Sequence, residues 1–214
     1  MDLGISSPQI DNPTRGFSFM HQADLDMRMD QNQKVSAFDI VNSWDAIELS
    51  KIFKSYGEEK FAWRIANQII EHRNEKGPIK NTLELANIAA NAQPKKDLGK
   101  NPATRIFQAL RIQTNEELQE LETALPKALE LLKIGGRLVI ISFHSLEDRI
   151  VKNFITLQTK TDFLPKNIPI KAKDIKPAKI KKVGKFIKPS PNELAQNPRS
   201  RSATLRVIEK VSEQ

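Results

Sequence analysis

The sequence predicts an α/β fold, and three stretches carry that prediction. Met1-Asp2-Leu3-Gly4-Ile5 is a short apolar run that enters Ser6-Ser7-Pro8-Gln9, as a buried strand does when it gives way to a loop. Leu138-Val139-Ile140-Ile141 follows a Gly135-Gly136 turn, and a continuous apolar run of this kind predicts a strand covered on both faces. Thr204 to Glu209 alternates imperfectly between apolar and polar residues and predicts a last strand. Open α/β sheets bind ligands in the crevice outside the carboxyl ends of their strands. The acid and polar loop at the front of the chain are therefore the first place to look for a site.

Between the strands the periodicity is helical. Ser7 to Asp30 shows no sustained pattern and predicts a long loop, of the kind usually tied to function. From Ser36 to Asn91 the pattern turns helical. Ser43 is placed to cap a helix on which Leu49, Ile52, Phe53 and Tyr56 fall at i, i+3, i+4 and i+7, with Gly57 as its stop. A second helix is predicted from about Glu58 to Glu75, with Phe61, Ile65 and Ile69 inward and Gly77-Pro78 ending it. Asn81 or Thr82 caps a third, from Leu83 to about Ala92. Gln93 to Asn101 reads as a basic linker, and Pro102 suits the first turn of the next helix. Thr114-Asn115-Glu116-Glu117 resembles a capping box opening a helical stretch striped by Leu118, Leu121, Leu125, Leu129 and Leu132, with Pro126 a kink or restart. A helix from Leu146 to Leu157 follows the strand at Leu138.

The charge is unevenly placed. The chain of 214 residues carries a formal charge of +8, and Lys160 to Lys188 alone holds ten lysines against Asp162 and Asp174, so the rest is neutral. A neutral body with one basic arm is the footprint of a polyanion binder; the plainer reading is a solvated lysine-rich loop. Interleaved Phe163, Ile168, Ile170, Ile175, Ile180, Val183 and Phe186 predict that part of the arm packs as a β-ribbon. No run approaches the length of a membrane span, and the acids of Met1 to Asp30 exclude a signal peptide within them. With no cysteine and three histidines lacking ligand-like spacing, disulfides and thiolate sites are excluded and a zinc site is not expected; the absence of cysteine fits a reducing cytoplasm.

Further motifs sharpen the reading: Arg15-Gly16-Phe17-Ser18-Phe19, Leu25-Asp26-Met27-Arg28-Met29-Asp30, Pro102 to Arg111, Gly135 to Arg149, and Asn197 to Val207. With the opening segment they closely resemble, in order and over residues 1 to about 210, the bacterial methyltransferases that modify N4 of a cytidine in the decoding centre of 16S ribosomal RNA. The resemblance implies a cytoplasmic enzyme using S-adenosylmethionine on the small ribosomal subunit. It implies the C-terminal part of a Rossmann-like methyltransferase, residues 1–30 and 112–214, with residues 31–111 an inserted helical substrate-recognition domain. It breaks at the front: the eight glycines include no Gly-x-Gly, and the family's cofactor loop has no counterpart here. The chain therefore reads as a fragment or truncated gene product, the competing reading being a short paralogue, an inactive RNA-binding remnant of such an enzyme.

The resemblance also assigns roles. Asp2, an acid costly to bury unless paired, matches the family's acid against the positive methionyl group of the cofactor, and Gln9 matches its second cofactor contact. Ser6, Ser7 and Pro8 match the floor beneath the target cytosine, where an ordinary serine-proline turn is the alternative. His144, with Ser145, ends the second strand and lines the same crevice, either in catalysis or as a structural histidine. Arg15, Arg28, Arg199 and Arg201 lie in loops suited to phosphate contacts, as do Lys181 and Lys182 on the basic arm. Phe17 and Phe19 either stack on an extruded base or anchor their loop.

Overall fold

The computed structural model describes residues 1–93, 101, 103–159 and 178–213. Pro102 and the part of the basic arm holding Phe163, Ile168, Ile170 and Ile175 lie outside them. Contacts divide the chain into two compact units, Ile5–Glu117 and Met1–Gly4 with Leu118–Gln214.

The first unit is helical: α1 (Ser7–Asp11), α2 (Ala37–Ser43), α3 (Ala46–Ser55), α4 (Ala62–Lys76), α5 (Thr82–Asn91) and α6 (Ala103–Thr114). Its core joins Leu49, Ile52 and Phe53 of α3 to Ile65 and Ile69 of α4, Leu85 of α5, and Ile106 and Leu110 of α6. The inward stripe of α3 is as expected, but its cap is not Ser43. That residue ends α2, its hydroxyl donating to the Asp39 carbonyl at 2.5 Å. Asp45 caps α3 instead, because Glu48 three residues on completes a capping box: Asp45 accepts from the Glu48 N–H at 2.8 Å and Glu48 accepts from the Asp45 N–H at 3.0 Å. Asn81 caps α5, accepting from the Glu84 N–H at 3.0 Å. Helix α4 starts four residues later than expected, since Glu58 has φ +50°, a left-handed value that no helix interior takes. Phe61 accordingly stands before the helix and is exposed rather than inward.

The second unit holds α7 (Glu117–Leu131, which begins at the last residue of the first), β1 (Arg137–Ser142), α8 (Ser145–Gln158), β2 (Ile180–Lys182), α9 (Pro191–Gln196) and β3 (Thr204–Lys210). The sheet order is β1-β3-β2, with β3 antiparallel to both neighbours. Met1–Gly4 runs parallel along the other side of β1, with the Leu3 N–H donating to Ile141 O at 3.0 Å and the Ile141 N–H to Met1 O at 2.9 Å. Leu121, Leu125 and Leu129 of α7 pack with Leu138, Ile140, Ile180 and Ile208 of the sheet and Val151, Phe154 and Ile155 of α8. The leucine stripe therefore faces the core, and α7 continues through Pro126 as one helix.

Two further expectations change. Thr114-Asn115-Glu116-Glu117 opens no helix at Thr114; that residue ends α6, and Glu116 at φ +49° turns the chain into α7. Among the described residues strand β1 is not covered on both faces: burial alternates along it and Val139 is 41% exposed. Its long partner is antiparallel, and such sheets commonly cover only one face.

Candidate functional site

The carboxyl end of β1, the parallel segment Met1–Gly4 beside it and the start of antiparallel β3 meet at one end of the sheet, since Asp2 pairs with Ile141 and Ser142 with Thr204. The N-terminal ammonium donates to Val139 O at 2.6 Å. Asp2 is exposed, and its carboxylate has no hydrogen-bond or ion-pair partner among the described residues. The burial cost expected for this acid is thus absent here, and an accessible anion stands at the strand end. Just before β3 a 3-10 turn, Pro198–Ser202, buries Ser200, whose hydroxyl donates to Asn197 O at 2.7 Å. That anchor leaves Arg199 and Arg201 on the exposed side of the turn.

His144 follows β1 and caps α8. Its Nδ1 accepts from the Glu147 N–H at 3.4 Å, while the buried Glu147 carboxylate accepts from the N–H groups of Phe143 and His144 at 2.7 and 3.3 Å. Its Nε2 lies 3.3 Å from the other Glu147 oxygen, and the side chain is largely covered. The structure gives this histidine a capping role that fixes how the chain leaves the strand.

In the helical unit, Ser6 is the N-cap residue of α1 and Pro8 sits in its first turn, where a missing N–H costs nothing. The Gln9 side-chain oxygen accepts from both the Ser6 N–H, at 2.9 Å, and the Ser6 hydroxyl, at 3.0 Å. Ser6, Ser7 and Pro8 are exposed, so the expected loop is a short capped helix presenting small polar groups.

Arg15 and Arg28 are committed inside the same unit. Arg15 donates to the carbonyls of Arg28 and Met29 at 2.7 and 3.1 Å and lies 5.8 Å from the Phe17 ring centre. Arg28 holds Asp26 through both carboxylate oxygens, at 2.6 and 3.1 Å, and donates to Gln33 O at 2.7 Å. Burial pushes the Asp26 carboxyl up, but the hydrogen bonds and charge of Arg28, with Arg15 behind, outweigh it and hold the carboxyl below its usual range. Phe17 is buried in the core and Phe19 meets Phe107 edge-to-face at 5.1 Å, so both rings anchor the loop.

On the ribbon, Lys181 pairs with Glu209 at 2.6 Å, and Arg137 reaches the same carboxylate at 3.1 Å. Lys182 is exposed and has no ion pair among the described residues.

Two further contacts organise these motifs. Arg206 of β3 holds Asp148 of α8 through both oxygens, at 2.7 and 3.1 Å. That contact, with the added charges of Arg206 and Lys152, outweighs burial and keeps the Asp148 carboxyl low. Asn115 accepts from the Met29 N–H at 2.6 Å and donates to Met27 O at 2.7 Å, clamping a loop in which buried Met27 takes φ +58°. The signal for the first was opposite charge in two separated motifs; nothing in the sequence marked the second.

Among the described residues no helix is long and apolar enough to cross a membrane. Comparison with known proteins finds the MraW methylase family matching residues 1–211. A Ribosomal RNA small subunit methyltransferase H of Legionella pneumophila (strain Paris) is 52% identical over 212 residues, 99% of this chain and 68% of the relative. Proteins of the same name from Marinomonas sp. (strain MWYL1) and Dechloromonas aromatica (strain RCB) are 51% and 49% identical, again over 68% of their own lengths. The chain belongs to the MraW methylase family.

Proposed function

We propose that this protein transfers a methyl group from S-adenosylmethionine to N4 of a cytidine in the decoding centre of 16S ribosomal RNA, acting on the small ribosomal subunit in the cytoplasm. Residues 1–30 and 112–214 are the methyltransferase part of a Rossmann-like fold, and residues 31–111 are a helical insertion that recognises the substrate. The names of the similar proteins support ribosomal RNA as the substrate class. The observation that carries the reading is the accessible, unpartnered Asp2 carboxylate at the carboxyl end of a parallel strand pair.

The donor set suits the cofactor. Its methionyl ammonium and sulfonium are positive, and a carboxylate with no internal cation is a fitting counter-charge. Gln9, its oxygen held by Ser6, keeps its amide NH2 for an acceptor. When bound, the cofactor supplies an electrophilic methyl carbon.

The remaining work falls to the chain. A cytosine N4 amine is a weak nucleophile because its lone pair is delocalised into the ring. The Ser6 and Ser7 oxygens accept hydrogen bonds from this amine and draw it toward a tetrahedral shape, while Pro8 stiffens the turn that carries them. Orientation of this kind can contribute up to roughly 7–11 kcal/mol. No strong base is needed, since the proton leaves late to an acceptor or water; His144 positions the strand end through its cap. Arg199 and Arg201 contact phosphates.

Calorimetry and turnover separate these roles. Asp2→Ala should raise the Kd for S-adenosylmethionine about tenfold or more, as loss of a hydrogen bond to a charged group does. Ser7→Phe should leave that Kd nearly unchanged and lower methylation of RNA. Equal effects of both variants on Kd would show that the donor and acceptor roles are wrongly divided. Binding of RNA and cofactor without turnover would favour the inactive-remnant reading.

A further inference from the structure

Beside the ribbon the sheet unit has a concavity of about 190 Å3, lined by Lys152, Lys182, Lys185, Phe186 and Arg206 over Ile155 and Val207. A bulge builds it. The Val183 N–H donates to Val207 O at 3.0 Å and Ile187 pairs with Leu205, so Gly184, Lys185 and Phe186 stand together opposite Arg206. Gly184 takes φ +71°, a conformation that favours glycine, and lets the strand swell there. Bulges of this kind re-aim side chains, and here they deliver a cation and an aromatic ring to one wall.

The electrostatics favour an anion. Arg206 is neutralised by Asp148, and Lys152 reaches the same carboxylate at 3.6 Å. Lys182 and Lys185 have no ion pair among the described residues. The cavity therefore holds more positive than negative charge. Phe186 is 54% exposed, with the Arg206 guanidinium 5.4 Å from its ring centre. A cation against an accessible ring, beside lysines with no carboxylate of their own, is the combination that binds single-stranded nucleic acid: stacking for a base and point charges for the backbone.

We propose that this cavity is a single-stranded RNA subsite, with a base on Phe186 and the adjoining phosphates on Lys182 and Lys185. It rests on the reading of the protein as one that acts on ribosomal RNA, and it adds a contact for RNA flanking the target, on the ribbon side of α8.

The test is fluorescence anisotropy of the whole chain with a labelled single-stranded oligoribonucleotide over a range of salt concentrations. Replacing Lys182 and Lys185 together by Gln should weaken binding and lower the log–log salt slope by about 1.4, at roughly 0.7 per phosphate. Phe186→Leu should weaken binding roughly fivefold to a hundredfold with the slope retained. Lys127→Gln with Lys133→Gln, on and just after α7 of the sheet unit and outside the cavity lining, is the control and should change neither. An unchanged slope in the double variant, losses equal to the control's, or no binding by the wild-type chain would overturn the proposal. Methyl transfer measured on the same preparations tells the two readings apart: loss of the RNA effect with turnover intact sinks the subsite alone, and absent turnover with the RNA effects intact sinks the enzyme alone.

Discussion

In the helical unit arginines hold the chain to itself: within the sequence motifs Arg15 donates to two carbonyls, Arg28 grips Asp26 and Arg111 grips Glu117 at 2.7 and 2.8 Å, and on α4 Arg73 donates to the carbonyls of Val41 and Trp44. In the sheet unit, Asp2, Lys182 and Lys185 face solvent with no ion pair among the described residues. Charged residues of one chain thus serve two purposes. Those in the helical unit satisfy buried carbonyls and carboxylates, which are costly to leave unpaired; Asp2 at a strand end and Lys182 and Lys185 on the ribbon remain open to a ligand.

The most damaging way to break the helical side of this contrast is Gly16→Ala. Gly16 has φ +70°, and an added Cβ would lie 2.2 Å from the Asp24 carbonyl oxygen and 2.8 Å from the Asp26 nitrogen, both backbone atoms that cannot step aside. A loss of about 3 kcal/mol or more is expected from chemical denaturation, with Arg15 and Arg28 no longer held. A variant as stable as wild type would show that the loop is not under this constraint.

Asn115→Ala should cost about 2 kcal/mol. It removes the partners of the Met29 N–H and Met27 carbonyl, and lost partners rather than lost volume set that figure.

The Asp148–Arg206 pair sharpens the sheet side. Its carboxyl is held below the ordinary value of 3.8, by the Arg206 hydrogen bond foremost. A depressed folded value means the contribution is full above the unfolded value and disappears as pH falls from about 3.8 through the folded value. Asp148→Asn should therefore lower stability near neutral pH by about 1 kcal/mol, a figure already reduced for partial exposure, and the gap to wild type should close in acid. A gap that widens in acid contradicts the assignment.

The smallest expected effect separates neighbours on the ribbon. Lys181 is engaged by Glu209, Lys182 is not. Lys181→Gln should change the RNA salt slope by less than about 0.3, against about 0.7 for Lys182→Gln, in the anisotropy assay. Equal changes would mean that internal pairing does not predict availability.

Much of the fold was legible because its signals are local. The spacing of Leu49, Ile52 and Phe53 gave the inward face of α3, and Leu121, Leu125 and Leu129 gave that of α7. What was not legible depends on partners far away in sequence. Whether Arg15 meets a phosphate or a carbonyl is decided by Arg28 and Met29 folding back over it. Whether Leu138–Ile141 is covered on two faces is decided by which strand lies beside it. Local rivalry also misled: Ser43 and Asp45 are both good caps, and only Glu48, three residues after Asp45, decides between them. At the candidate site, Asp2 and Arg201 could be picked by residue type, but that they share one end of the sheet follows only from the register of β1 with Met1–Gly4 and β3.

The most direct test of the account is nucleoside mass spectrometry. Small ribosomal subunits lacking the modification are incubated with the protein and S-adenosylmethionine carrying an isotopically labelled methyl group, and the 16S RNA is then digested to nucleosides. The account predicts labelled N4-methylcytidine, reduced by Ser7→Phe and by Asp2→Ala. A labelled methyl on any other atom, or no label from a preparation that binds both RNA and cofactor, would contradict it.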